Sequence, residues 1–271
     1  MTLRTCRPAR LLVTLSLASL PVAALLGCTS KKFDSIRLDA PALAETTVAG
    51  PGIDIANVRG NITLRVIDRA EKISVTPTVR LDKDGPEHFD LNLVASSVDV
   101  SAEIQDRGGL PALVISTTST RDSSEFFVDL DITVPSAEGL RIRSGGGVIR
   151  VLDIAGAVDI DNVRGPIEVR TVHPLTQPVS ITTGAGDIIL SVPPQTTGRI
   201  TMQAYDGQCY LESRSKSAIV SETYSKGTNL TSVINRGENP INLTTTDGSV
   251  RMWVLDNPTE RIGLGLFVSG N

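Results

Sequence analysis

Aromatic residues make up only 3% of this 271-residue chain, with one tryptophan and three tyrosines. A core almost without rings has to be built from Val, Ile and Leu. A surface without them offers few stacking platforms for bases or sugar rings. Positive charge is also scarce. The formal net charge is −4, and residues 1–27 hold Arg4, Arg7 and Arg10 but no acid, so the chain from residue 28 onward carries three fewer positive charges, or −7. Such a surface does not neutralise phosphates, and no nucleic-acid partner is expected. There are two histidines, His88 and His173, both in loops and neither with a His, Cys or acid at metal-ligand spacing, so no metal site is expected. No GxSxG occurs. The glycine clusters "SGGGVIR" and "GAGDIIL" neither complete GxGxxG nor lead into a helix, and the serines of "RDSSEFF" (121–127) have no evident base. These gaps argue against a nucleophile elbow and a phosphate cradle, and no cofactor is expected.

Cysteine is scarce in an informative way. Of Cys6, Cys28 and Cys209, the first two fall in or beside an N-terminal export signal. Three arginines precede the apolar run "LLVTLSLASLPVAALLG" (11–27), which is short and interrupted by Pro21. That is the n-region and h-region order of a secretory signal, expected to be helical. The run ends in Leu25, Leu26, Gly27 and Cys28, followed by polar "TSKK". These four residues resemble the lipobox of bacterial lipoproteins, which implies cleavage before Cys28 and lipid attachment to its thiol. The other readings are an ordinary secretory signal cut after Ala24, or an uncleaved anchor. With Cys6 removed and Cys28 lipidated, Cys209 is left alone in the alternating stretch "GQCYLES". It reads as a small buried residue in a protein without an internal disulfide.

What the chain has in quantity is short alternation with a period of two: "NITLRV", "KISVTPTVRL", "FDLNLVASSVDVSAEI", "ALVISTT" and "FFVDLDITVP". No ten-residue apolar stripe with a helical period appears, so the chain reads as all-β. From residue 137 glycine opens strand after strand, at Gly147, Gly156, Gly165, Gly186, Gly198, Gly207 and Gly248. One unit is even written twice: "DIANVRGNITLR" (54–65) recurs as "DIDNVRGPIEVR" (159–170), and "INRGENPINL" (234–243) is a looser third copy. Two inward Ile or Val side chains contribute about 3–6 kcal/mol on burial. Ordering nine residues costs about 1–2 kcal/mol each. A single unit therefore cannot stand alone and must stack on its neighbours. In the repeated unit Ile160, Val163, Ile167 and Val169 are expected to face inward, with Arg164 and Arg170 exposed.

The segment "LDITVPSAEGLRIRSGGGVIRVLDIAGAVDIDNVRGPIEVRTV" (130–172), with its units "GVIRV", "GAVDI", "GPIEV", "GDIIL" and "GSVRM", resembles the adhesin-like β-strand-repeat domain of unknown function found in many exported bacterial proteins. The resemblance spans about residues 50–255. It implies a β-solenoid, a right-handed β-helix-like stack of short glycine-led strands, at the cell envelope or surface, and it implies no activity. Here the stack would follow an antiparallel N-terminal β portion. The insertion in "RTVHPLTQPVSITTGAGD" departs from the pattern and puts one rung in doubt. The expected division is a lipoprotein signal peptide (1–27), a tether or first strand (28–48) and the repeat domain (49–271), with longer strands in 49–136 and regular short repeats in 137–271.

Two functions follow. The first is a non-enzymatic, lipid-anchored envelope scaffold for adhesion, binding a surface protein or a wall polymer. It would face the periplasm or the cell surface, in the outer membrane if the cell is Gram-negative, because Thr29 is not the Asp that retains many lipoproteins in the inner membrane. The second is a carbohydrate-active β-helix enzyme, a hydrolase or lyase. It would use Asp153, Asp159, Asp161, Asp187, Asp206 and Asp247 as a ladder of clustered carboxylates. The same aspartates also suit β-turns.

Overall fold

The computed structural model describes residues 35–39, 41, 50–82, 90–107 and 109–260. Cys28, His88 and the whole export signal lie outside the described residues. In chain order the first elements are β1 (Ser35–Arg37), β2 (Gly52–Asn57), β3 (Ile62–Val66), β4 (Ser74–Leu81), the short helix α1 (Leu91–Ala95), β5 (Val98–Asp106), β6 (Pro111–Ser119) and β7 (Phe126–Val134). Then come β8 (Glu138–Ser144), β9 (Ile149–Leu152), β10 (Ala155–Asn162), β11 (Ile167–Arg170), β12 (Val179–Ala185) and β13 (Ile188–Val192). The last are β14 (Gly198–Asp206), β15 (Cys209–Ser213), β16 (Val220–Ser225), β17 (Asn229–Ile234), β18 (Pro240–Asp247) and β19 (Val250–Val254). The protein is all-β, with one five-residue helix among the described residues.

The strands form two open sheets. The first, sheet A, has the order β1-β4-β7-β3-β9-β11-β13-β19-β15. The second, sheet B, has the order β16-β17-β14-β18-β12-β10-β8-β2-β6-β5. Each rung is a strand of sheet B that turns a corner and continues as a strand of sheet A. The rungs stack in parallel as β6/β7, β2/β3, β8/β9, β10/β11, β12/β13, β18/β19 and β14/β15. Antiparallel strands extend both ends: β4 and β1 beyond β7, β5 beyond β6, and β17 and β16 beyond β14.

This arrangement refines the expected stack in three ways. The antiparallel N-terminal portion is present, but rungs β2/β3 and β6/β7 belong to the parallel stack itself, so residue 137 marks no structural break. The order is also not that of a continuous coil. The rung β2/β3 lies inside the later β6/β7, and β18/β19 lies between β12/β13 and β14/β15. Finally, the rung after the proline-containing insertion keeps its register. The insertion buries Leu175 completely, and its N–H donates to Thr196 Oγ1 at 3.2 Å.

Register turns the alternating sequence into columns. In sheet B, Ile115, Ile55, Ile142, Ile160, Ile181, Leu243 and Met202 stack in line. In sheet A, Leu130, Ile62, Ile149, Ile167, Ile188, Val250 and Cys209 do the same. All of these are buried. The repeated unit therefore contributes Ile160, Ile167 and Val169 to the core as expected. Val163 does not face inward: it stands beyond the end of β10 at the corner and is 66% exposed. Arg170 is not exposed either. Its side chain keeps only 12% of its accessibility because it closes onto the carboxylate of Glu168, itself covered on the outer face of sheet A with Arg150 3.8 Å away.

The corners stack as tightly as the strands. Gly60, Gly147, Gly165, Gly186, Gly248 and Gly207 lie over one another, and a Cβ on any of them would fall 1.9–2.5 Å from backbone atoms of the neighbouring rung. Gly165 is representative, with φ +121° and the Gly147 carbonyl oxygen 2.2 Å from where a Cβ would stand. Alanine there would meet both backbone strain and a clash with backbone that cannot swing aside. At Gly227 (φ +78°) nothing lies within 4 Å of the added carbon, so only the conformational cost of about 1 kcal/mol applies. Urea unfolding of the fragment 34–271 should show a loss of more than about 3 kcal/mol for Gly165→Ala and about 1 kcal/mol for Gly227→Ala. Equal losses would show that the corner column does not constrain the stack.

Candidate functional site

The repeated "NVRG" corner is the first candidate, and its asparagine faces the interior. Thr117, Asn57, Ser144, Asn162, Thr183 and Thr245 occupy one inward column at the end of sheet B, all buried. Their side chains hold the corner carbonyls. Asn162 Nδ2 donates to the carbonyls of Gly147 and Gly165 at 3.0 and 3.1 Å. Thr183 Oγ1 donates to the Gly165 carbonyl and Thr245 Oγ1 to that of Gly186, both at 2.9 Å. Asn57 Nδ2 donates to the Val128 carbonyl, and Asn57 Oδ1 accepts from Thr117 Oγ1. Asn162 Oδ1 has no partner among the described residues. This polar column was not foreseen from the sequence, yet it leaves a signal there: a polar residue stands three places before five of the six corner glycines, in Asn57–Gly60, Ser144–Gly147, Asn162–Gly165, Thr183–Gly186 and Thr245–Gly248, and only Gly207 is preceded there by an alanine, Ala204. The repeated unit is a corner device.

Outside this column lies a shallow hollow of about 360 Å³, floored by Gly145 and walled by Val58 and Val163, with Arg143 and Asp161 at its side. Both copies of the repeat therefore contribute to its lining. Arg143 is committed to its neighbour: it donates to Asp159 Oδ2 at 2.6 Å, and this bond raises its pKa above the ordinary guanidinium value. The hollow is open and carries one paired cation beside one exposed acid, and its two hydroxyls, on Thr117 and Ser144, are hydrogen-bonded within the corner.

The six aspartates are not brought together. Asp159 stands between Arg141 and Ser180, and Asp161 between Arg143 and Thr182. Asp153 and Asp187 serve turns, accepting from Val172 N–H at 3.2 Å and Ser249 N–H at 2.8 Å. Asp206 and Asp247 are side by side, and the next position in that row is Ala185. An acid ladder fails because the register interleaves carboxylates with Arg, Ser, Thr and Ala. His173 is half-buried, with its backbone N–H on Thr171 Oγ1. Among the described residues no three His, Cys, Asp or Glu side chains are grouped to hold a metal ion. Cys209 is 6% exposed in an apolar column. Burial pushes its thiol pKa up, partly offset by a backbone hydrogen bond at Ala204.

A stack of parallel glycine-cornered rungs with a buried polar column at the corners defines an adhesin-like β-repeat domain. The Toastrack DUF4097 family matches residues 115–253, slightly more than half of the chain, and the protein belongs to that family. No curated protein matches it. Among solved structures it is similar to a candidate cell adhesion protein of Clostridium sporogenes, with 12% identity and a TM-score of 0.46 over 83% of this chain and 100% of that one. Candidate adhesins of Bacteroides fragilis (10% identity, TM-score 0.29, 82% and 98% covered) and Parabacteroides distasonis (10%, 0.22, 82% and 97%) are also similar.

Removing the Asn162 amide leaves the half-buried Gly147 carbonyl without its side-chain donor. Asn162→Ala should therefore cost about 2 kcal/mol in equilibrium unfolding, and Arg164→Ala, on the exposed side of the same corner, less than about 0.5 kcal/mol. The Cys209 thiol gives a pH test. Its folded pKa lies above the unfolded value, so the protonated thiol is fully compatible with folding below about pH 8.5. Stability should fall above that pH as the unfolded chain ionises first. Iodoacetamide at alkaline pH should label Cys209 at least about tenfold faster in unfolding urea than in the native protein. Equal rates would place the thiol at the surface.

Proposed function

We propose that the protein is a lipid-anchored, non-catalytic binding scaffold of the bacterial envelope. Cys28 is its lipid attachment site, and the repeat domain presents its long β-faces to a surface protein or wall polymer. In this reading the right-handed winding implied by the family resemblance turns the stack into a flattened, two-sided solenoid. The observation that supports it best is the outer face of sheet B beyond β10, where Ser180 and Thr182, Asn242 and Thr244, and Thr201 stand in register on successive strands. A flat face of small polar groups at strand spacing is suited to repeated, shallow contacts with an extended ligand. Among the acids of the central rungs, Asp159 is tied to Arg143, and Asp153 and Asp187 to turn amides. Outer-membrane placement facing the periplasm or the cell surface belongs to the same reading.

Two measurements test it. Metabolic labelling with a radioactive fatty acid should mark the wild-type protein and not Cys28→Ser, and the wild type should stay with membranes in high salt, as two or three acyl chains require. Release by salt alone would overturn the anchor. Crosslinking in intact envelopes should capture one dominant partner that Thr182→Arg with Thr244→Arg loses without a change in melting temperature. Polysaccharide cleavage abolished by Asp159→Asn and Asp161→Asn would instead make the protein an enzyme.

A further inference from the structure

The four edges of the two sheets differ in how they are protected against pairing with another strand. β1 is three residues long. β15 is met by the turn after β16, where Cys209 N–H donates to the Gly227 carbonyl at 2.7 Å. β16 shifts register against β17 between Ser221 and Tyr224, while its outer side stays unpaired among the described residues. β5 has none of these devices. It runs nine residues, "VDVSAEIQD", without proline or lysine. It pairs with β6 without interruption from Val98–Ser119 to Asp106–Pro111, and no strand pairs with its other side among the described residues. A long, flat, unblunted edge is a template for a further strand.

Charge selects that strand. β5 exposes Asp99, Glu103 and Asp106 and holds no base. Two β5 edges placed together would set like charges across the pair, which is destabilising. The other end of sheet B offers bases: Lys216 and Lys226 flank β16, which itself holds one acid, Glu222, while Arg214 is already paired with Glu212 at 2.7 Å. It also leaves Ile219 67% and Tyr224 54% exposed, apolar surface that a contact would cover. Directions agree as well. β5 runs against the parallel rungs, whereas β16, antiparallel to β17 and so parallel to β14, runs with them. Two copies related by translation along the stack would bring β16 of one beside β5 of the next as an antiparallel pair.

We infer that the protein self-associates head to tail, the acidic β5 edge of one copy docking on the basic β16 end of a second and continuing sheet B. The two surfaces are different, so the contact is heterologous and open-ended. Its attraction is between exposed charges and falls with salt.

The test is sedimentation of the full-length chain in detergent. Wild type should form a concentration-dependent series of species that dissolves in high salt. The charge reversals Asp99→Lys/Glu103→Lys and Lys216→Glu/Lys226→Glu should each weaken association about tenfold or more. An equimolar mixture of the two variants should associate again, because each then offers the end that the other lacks. Unchanged melting temperatures establish that both variants are folded. If one is not, Asp99→Asn/Glu103→Gln replaces it and should still weaken association. A wild type that stays monomeric at every concentration overturns the inference. So does association that survives both reversals, or variants that fail to recombine on mixing.

Discussion

The close approach of backbone at the rung corners is the constraint on which the rest of the structure depends. Parallel strands stack at about 4.8 Å, and for both sheets to keep that spacing the turn between them must repeat it without a side chain in the way. The stacked glycines allow it, and their amides tie one corner to the next: Gly147 N–H reaches the Arg164 carbonyl at 2.7 Å, and Gly186 N–H the Asp247 carbonyl at 2.6 Å. With the corners locked, the register of every strand follows, and the alternating Ile, Val and Leu fall into continuous columns. A one-residue slip would turn each column outward.

The inward polar column completes this arrangement. Corner carbonyls that point into the stack cannot all be reached by strand hydrogen bonds, and leaving them bare would be expensive. Asn57, Asn162, Thr183 and Thr245 supply donors from within, so a line of buried polar groups runs beside an apolar core without disrupting it. The repeated dodecapeptide is therefore explained by two neighbouring requirements, a donor and a glycine three residues later. Neither requires a ligand. Chemistry available for recognition is displaced to the outer faces and the ends of the stack.

Both ends depart from simple repetition, and this shapes what the protein offers its surroundings. Antiparallel strands cap the stack at either end, leaving edges of unequal length, protection and charge. A parallel stack left uncapped would expose its apolar columns. The strands that cover them become the surfaces most open to other molecules, while the central rungs provide the broad faces.

Much of the architecture was legible in the order of residues. Alternation of period two determined an all-β chain, the corner glycines determined short stacked rungs, and the apolar columns could be read from Ile160, Ile167 and Val169. Cys209 was recognisable as a buried thiol from its place in "GQCYLES". These are local signals, because side-chain period and positive φ are properties of a few consecutive residues. Only the tertiary structure decided which rungs are neighbours. Inserting β2/β3 inside β6/β7, and β18/β19 between β12/β13 and β14/β15, depends on pairings between strands far apart in the chain. Strand register set Arg143 against Asp159 on the adjoining rung and interleaved with Arg, Ser, Thr and Ala the aspartates that sequence spacing had suggested as a ladder. It also turned Val163 outward, since a corner residue's direction is set by the rungs on either side of it and not by alternation within its own strand.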